Sequence, residues 1–248
     1  FGNAFTQDVS SGSLAVATPS KNVGICGVGL GPLTVPSGYQ INYTGANASV
    51  TPAALTITAP TVTKTYDGTT LATGSGSVGS LAGALAGESV GSAGSLAFLN
   101  RNAGAGNKVV RASGVTIKDS ANADVTGNYV VTYVDNTAST ITPAPLTVST
   151  SNISRVYDGT TIASGSAVVK VGNLFGTDAL TGGSFAFADK NVGNGKTVNV
   201  SGISVNDGNG GNNYAITQVA NTASSITHAP LMVTARQVSK TYDGGLGT

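Results

Sequence analysis

Apolar and polar residues alternate along most of this chain at the period of an extended strand. Leu55-Thr56-Ile57 and Leu146-Thr147-Val148 each place every second side chain on one face, as a half-buried strand requires. Val62, Lys64 and Tyr66 share a face by the same parity. Residues 95–99, 109–117, 130–134 and 198–205 are predicted as further strands, being rich in β-branched side chains. Clusters of Gly, Asn and Asp divide them, at Asp67-Gly68 and at 102–107, 191–195 and 207–213. No segment keeps apolar residues at helical spacing for three turns, and residues 81–85 are predicted to form a single helical turn. The pattern is that of an all-β chain.

The strands belong to copies of one unit. Thr-Tyr-Asp-Gly opens at Thr65 and at Thr241, and Val-Tyr-Asp-Gly opens at Val156, so Tyr66, Tyr157 and Tyr242 recur at nearly equal intervals. The period is that of a small domain, and such a period means tandem modules. Asn128-Tyr129 precedes Tyr157 by the same distance in sequence as Asn213-Tyr214 precedes Tyr242. Between them, Asn136-Thr137-Ala138-Ser139 answers Asn221-Thr222-Ala223-Ser224, and Ala144-Pro145-Leu146 answers Ala229-Pro230-Leu231. A weaker copy runs from Tyr39 to Leu55, with Tyr39 standing slightly closer to Tyr66 than its counterparts stand to theirs. The interval from Tyr66 to Tyr129 is longer than that from Tyr157 to Tyr214. Insertions collect in surface loops, so the variable middle is predicted to hold loops and the two ends core strands. Pro52, Pro143, Pro145 and Pro230 lie at the junctions, each beside a strand start. The expected organisation is a partial β-repeat over 1–53, two full repeats over 54–144 and 145–229, and the start of another over 230–248. Junctions this short predict small β-sandwich-like modules in a semi-rigid rod.

Composition narrows the function classes. Charged residues make up 9% of the chain, against about 25% in ordinary soluble proteins. Its polar surface must therefore come from Ser, Thr, Asn and Gly, which suits β-rich extracellular proteins. The net charge of +1 and the lack of any Lys/Arg cluster give no electrostatic case for nucleic acid or an anionic membrane. Cys26 is the single cysteine, so no internal disulfide and no thiolate metal cluster is available. No run reaches the roughly 18 apolar residues of a membrane span. Residues 1–17 lack the basic start and apolar core of a signal peptide, and the chain reads as a piece of a longer one.

Candidate chemistry is sparse. Asp-Gly within Tyr66–Thr70 and Tyr157–Thr161 predicts a tight turn, with the tyrosine ring in the core. Loops 119–124 and 207–212 space Asp and Asn oxygens in a way that suits calcium or a hydrogen-bonded Asx turn; neither contains a closing glutamate, and the turn is the expectation. Lys21-Asn22-Val23-Gly24, Lys190-Asn191-Val192-Gly193 and Arg101-Asn102-Ala103-Gly104 set a cation beside asparagine. Isopeptide chemistry needs distant partners and a buried carboxylate, so these read as hairpin turns. His228 stands alone at a junction, the Gly/Ser run at 74–83 lacks the lysine of a phosphate loop, and sequons occur at Asn42, Asn47, Asn152 and Asn199. No catalytic, cofactor-binding or metal-ligating residue is assigned, and the chain is not expected to be an enzyme.

Lys64–Thr70, Arg155–Thr161, the later Asn-Tyr pairs and Thr142-Pro-Ala-Pro-Leu-Thr-Val148 together resemble the YDG-type repeats of filamentous-haemagglutinin-like adhesins, which bacteria export by two-partner secretion. The resemblance covers residues 54–248; Gly245-Leu246 replaces the two threonines in the last copy. Residues 1–53 resemble the tail of an MBG-type repeat, through Tyr39-Gln-Ile-Asn-Tyr43 and Val50-Thr-Pro52. The resemblance implies a secreted, non-catalytic stalk or adhesive array at a Gram-negative cell surface, contacting other cells, glycans or neighbouring copies in adhesion or biofilm. It assigns no functional residues. Carbohydrate-binding modules and subunits of a self-assembling extracellular filament are the alternatives, the low aromatic content of 6% weighing against sugar stacking.

Overall fold

The computed structural model describes residues 15–16, 21–72 and 80–245. Part of the Gly/Ser run at 74–83, and Leu246 of the last repeat, lie outside them. The described residues are almost entirely strand and connecting loop, with one 3₁₀ turn at Thr126–Asn128 and no helix long and apolar enough to cross a membrane. The chain divides into two compact units, Phe1–Pro143 and Ala144–Thr248.

The first unit opens with an antiparallel sheet of β1 (Ala15–Val16), β2 (Gly24–Gly29) and β3 (Ala46–Val50), in which Cys26 faces Ala48 and is buried. A module of nine strands follows: β4 (Ala53–Thr58), β5 (Thr63–Thr65), β6 (Ser80–Ala82), β7 (Ser89–Ser92), β8 (Ser95–Phe98), β9 (Gly104–Ser113), β10 (Thr116–Lys118), β11 (Tyr129–Val134) and β12 (Asn136–Thr142). They form curled sheets ordered β11-β4-β6 and β5-β12-β9-β8, with β7 and β10 paired separately. Alternation in β4 turns Leu55 and Ile57 inward, where they pack with Val115, Ile117, Val125 and Tyr129.

The second unit repeats the plan with seven strands: β13 (Ala144–Thr150), β14 (Ser154–Val156), β15 (Ala167–Val171), β16 (Ala179–Phe187), β17 (Gly193–Asn206), β18 (Tyr214–Gln218) and β19 (Asn221–Thr227). The sheets run β15-β13-β18 and β14-β19-β17-β16. Ile153, Ala163, Phe187, Val198 and Ile226 form one core cluster. Residues 228–245 continue as exposed chain outside either sheet.

Two devices shape each module. The first is a bent hairpin. In the second unit β16 and β17 run unbroken past Gly182, Gly183 and Gly202, all at positive φ; in the first unit the same path breaks at Gly94 and Gly114 into β7/β8 and β9/β10. Gly94 has φ +66°, and a Cβ there would lie 2.0 Å from the Ser113 carbonyl oxygen, so only glycine fits the corner. The second is a paired crossover. β4 lies parallel to β11 and β5 parallel to β12, so the first and last strands step between sheets together.

The Asn-Thr-Ala-Ser text sits at this crossover, where the regular ladder is interrupted. Asn221 donates to the Thr150 carbonyl at 3.1 Å and to Asn152 Oδ1 at 2.9 Å. Its own Oδ1 accepts from Ala223 N–H at 2.9 Å and from the Ser224 hydroxyl at 3.0 Å. Ser224 in turn accepts from Ile153 N–H at 3.0 Å. Asn136 and Ser139 repeat the clamp, with Ser139 accepting from Val62 N–H at 3.0 Å. Two side chains thus replace the missing ladder partners of buried backbone.

The predicted strands at 95–99, 130–134 and 198–205 are present, and 109–117 is split at Gly114. The helical turn predicted at 81–85 is not formed. Leu81 and Ala82 instead pair antiparallel with Ile57 and Thr56 in β6, and Gly83, at φ +105°, ends the strand. Sheet pairing overrides a weak local preference over so few residues. The longer Tyr66–Tyr129 interval is taken up ahead of β6 and between β10 and β11.

Candidate functional site

The Tyr-Asp-Gly loop is built around a cation. The burial pattern of β5 turns Lys64 inward, leaving its side chain 6% exposed. Its ammonium donates to Asp67 Oδ1 at 2.7 Å, the Thr69 carbonyl at 2.8 Å, Thr69 Oγ1 at 3.2 Å and the Leu71 carbonyl at 2.9 Å. It also lies 5.6 Å from the centre of the Phe98 ring. Asp67 Oδ1 accepts in addition from Thr69 N–H and Oγ1, each at 2.9 Å, and Gly68 takes φ +77° to close the turn. Burial works to raise the Asp67 pKa, but the Lys64 and Thr69 hydrogen bonds outweigh it and hold the carboxyl below its ordinary value.

The second unit repeats the loop with a guanidinium. Arg155 donates to Asp158 at 2.7 Å, to Thr160 Oγ1 at 3.0 Å and to the Thr160 carbonyl, and lies 5.1 Å over the Phe187 ring. Thr160 N–H and hydroxyl, then Arg155, depress the Asp158 pKa. The third copy closes as well, with Lys240 on Asp243 at 2.8 Å and on the Gly245 carbonyl at 3.1 Å. Here Tyr242 is 94% exposed, so the loop forms from its own residues without a surrounding sheet. The tyrosine does not behave as predicted throughout. Tyr66 is buried, but Tyr157 is 38% exposed, although each donates its N–H to the equivalent carbonyl, of Thr142 and Thr227. Backbone position is therefore repeated while ring burial is not.

The Asp/Asn loops enclose carboxylates. Asp207 is buried; its Oδ1 accepts from Asn209 N–H at 2.7 Å and Gly211 N–H at 2.8 Å, and its Oδ2 from Asn213 N–H at 2.9 Å. Burial pushes its pKa upward and the three amides, together, pull it below the ordinary value. Asp119 accepts from Ala121 N–H at 2.9 Å and Ala123 N–H at 3.0 Å, and from Lys21 at 2.6 Å. Carboxylate oxygens surrounded by N–H donors present the wrong polarity for calcium. Among the described residues no three metal-ligating side chains gather. Lys21 and Asp119 hold each other in the charged form, and the lysine side chain is 73% exposed, the opposite of the buried neutral pair that an isopeptide requires. Residues 190–193 and 101–104 form hairpin turns, as predicted.

The Asn-Tyr signature has a role that its sequence did not disclose. Tyr214 donates to the buried Asp178 carboxylate at 2.8 Å and accepts from Phe175 N–H at 2.9 Å. Tyr129 donates likewise to Glu88 and accepts from Leu85 N–H at 3.1 Å. Burial first, then Glu88, raises the Tyr129 pKa. Glu88 in Gly87-Glu88-Ser89 answers Asp178 in Thr177-Asp178-Ala179, so an acidic residue recurs in both modules as the tyrosine does. Each tyrosine pins the loop that leads into the bent hairpin.

One groove borders a Tyr-Asp-Gly loop. In the second unit a space of about 410 Å³ runs beside β14, between Ser154 and Val156 on one side and Ile162 and Ser164 on the other. Its opposite wall, residues 161–163, is bonded to β16 through Phe187 N–H on the Thr161 carbonyl at 2.8 Å and Ala163 N–H on the Phe185 carbonyl at 3.2 Å. In the first unit a smaller cavity of about 140 Å³ lies among Lys21, Val50, Glu88 and Tyr129.

Comparison with known proteins agrees with the repeat. Neither a curated protein nor a solved structure matches the chain. The model of the YDG domain matches twice, over residues 51–138 and 142–223. The two matched segments contain the two cation-centred loops, the two tyrosine–carboxylate pairs and the asparagine, though not the serine, of each crossover clamp. The chain therefore belongs to the YDG domain family, of which it carries two tandem copies.

Proposed function

We propose that the chain is a non-catalytic segment of a secreted, surface-attached bacterial adhesin of the filamentous-haemagglutinin-like kind, working in cell adhesion or biofilm. The observation that carries this reading is how the repeated residues are used. Lys64, Arg155, Asp67, Asp158, Asp207 and Asn221 direct their polar groups at their own module. A signature committed to internal bonds supports repetition of a scaffold over repetition of a reaction. Copies in tandem, separated by the single residue Pro143 between β12 and β13, suit a semi-rigid rod. Weak contacts on each module add up through effective concentration, so the array gains avidity without a tight site. Exposed Thr, Asn and Tyr side chains then meet other cells, glycans or neighbouring copies.

Two measurements test this. Small-angle scattering of the full chain is expected to give an elongated particle, and a compact globular profile contradicts the rod. Beads carrying the chain at high density are expected to bind bacterial or host cells far better than the free chain does. Equal binding by bead and free chain, or selective binding of one sugar on a glycan array, overturns the multivalent reading in favour of a dedicated binding module.

A further inference from the structure

Strand register puts the Lys-Asn-X-Gly turns and the Asn-Tyr signatures at module ends. Gly24 opens β2 and pairs antiparallel with Val50, the last residue of β3. Gly104 pairs with Ile141, and Gly193 with Ile226, near the ends of β12 and β19. Each turn therefore stands where a last strand leaves its sheet. The Asn-Tyr signature stands where a first strand enters: Tyr129 pairs parallel with Ala53 and Tyr214 with Ala144, the opening residues of β4 and β13. Only Thr51 and Pro52 separate β3 from β4, so the turn at Lys21–Gly24 and the signature at Asn128-Tyr129 meet at one junction inside the first unit.

There the side-chain amide of Asn128 engages the turn in both directions. Its Oδ1 accepts from Val23 N–H at 2.9 Å, and its Nδ2 donates to Asn22 Oδ1 at 3.0 Å. The backbone beneath it is fixed. Asn128 N–H on the Val125 carbonyl at 2.9 Å closes the 3₁₀ turn, and Glu88 and Leu85 anchor the neighbouring Tyr129. A donor and an acceptor on each side form a pattern that an amide satisfies and that a carboxylate or an alkyl group does not. Lys21 adds its contact with Asp119 at 2.6 Å, but its side chain is 73% exposed, and a surface ion pair contributes little. Selectivity therefore lies with the amide. Val23 and Val50 from one side, and Leu85, Val125 and Tyr129 from the other, border the cavity of about 140 Å³ beside it.

We propose that Asn128 and the Lys21–Gly24 turn form a latch that fixes the angle between the N-terminal sheet and the module after it, the turn being a surface that fits the entry end of a YDG repeat. Lys190-Asn191-Val192-Gly193 carries the same text at the same place in its own module, so it fits the same kind of partner, a YDG repeat joined after it. The proposal rests on the reading of the chain as a tandem array and needs no adhesive target.

Pulsed EPR distances on the full chain decide it. Nitroxides are placed at Asn47→Cys and Thr137→Cys, both exposed, in a Cys26→Ala background. The parent is expected to give one narrow distance distribution and slow exchange of the Val23 amide. Asn128→Ala is expected to broaden the distribution and to reduce Val23 protection to that of an unbonded amide. Lys21→Ala with Asn22→Ala alters only exposed side chains of the turn, and is expected to broaden the distribution while the urea midpoint of the following module stays unchanged. A parent distribution that is already broad overturns the proposal, as does a narrow one that both variants leave unaltered. Broadening by Asn128→Ala alone, with the midpoint lowered, also overturns it, since the asparagine would then act only within its own module. Should Asn128→Ala fail to fold, the turn variant still decides. A globular scattering profile beside a narrow EPR distance would refute the rod and leave the latch standing.

Discussion

Replacing Lys64 with methionine tests the claim that a cation organises the Tyr-Asp-Gly loop. Methionine keeps most of the side-chain volume and removes the charge. The three N–H groups of the ammonium are shared among four acceptors, Asp67, the Thr69 carbonyl and hydroxyl, and the Leu71 carbonyl. Hydrogen bonds to charged groups contribute about 1.5–3 kcal/mol each when intact. They do not simply add here, because the Asp67 side chain is 44% exposed and water re-solvates it once the partner is gone. The lasting loss is the two carbonyls with the ring contact, which places the cost at about 2–4 kcal/mol. Lys64→Arg is the control: Arg155 already holds that position in the second module, so the cost is expected to stay below about 1 kcal/mol. Urea unfolding followed by hydrogen exchange, read separately for the two modules, gives both numbers, with the second module as internal reference. The pH dependence provides an independent check. Asp67 has a depressed folded pKa, so the unfolded chain binds more protons in the acid range. Its contribution is present above the ordinary carboxylate pKa and is lost as pH falls through the folded one. Lys64→Met should flatten that acid limb in the first module. A methionine variant within about 0.5 kcal/mol of the parent, with its acid limb unchanged, refutes the cation-centred loop.

Three further outcomes follow from the geometry. Asn221→Ala removes two donations and two acceptances at the buried crossover and should destabilise the second module by about 2–4 kcal/mol in urea melts; a change below about 0.5 would mean that water replaces the clamp. Protection of the Asn209, Gly211 and Asn213 amides should be complete at neutral pH and fall as pH drops through the depressed folded pKa of Asp207, and Asp207→Asn should abolish that pH dependence, as read by amide exchange. Gly94→Ala meets the Ser113 carbonyl at 2.0 Å and should cost several times more than Gly106→Ala, at a similar φ of +65° but with nothing within 4 Å, for which about 1 kcal/mol of backbone strain is expected; equal melting shifts would remove the steric account of the corner.

The strands were legible because alternation and β-branching are local signals. Leu55, Ile57, Leu146 and Val148 all face cores, as their parity required. The repeat was legible because closely similar text folds alike. What escaped were pairings between residues distant in sequence. Nothing in Tyr214 alone names Asp178, and nothing in Asn221 names Thr150 and Asn152, which lie far back at the opening of the module. Residues 81–85 misled because a short Leu/Ala run carries too little helical preference to resist a neighbouring strand edge. Parity alone turns Lys64 inward, and that direction already implies a buried ammonium in need of acceptors.

The paired crossover has a mechanical consequence. Each module begins on one strand of a parallel pair and ends on the partner of the other pair, β4 with β11 and β5 with β12. Tension applied between the two ends of a module pulls parallel neighbours past one another along their length. All the bonds of both ladders then bear load at once, where a hairpin would yield them one by one. Resistance to stretching is set by the rate of unfolding under load, so the Asn and Ser clamps, placed where both ladders are interrupted, guard the point at which a stretched module would first give way.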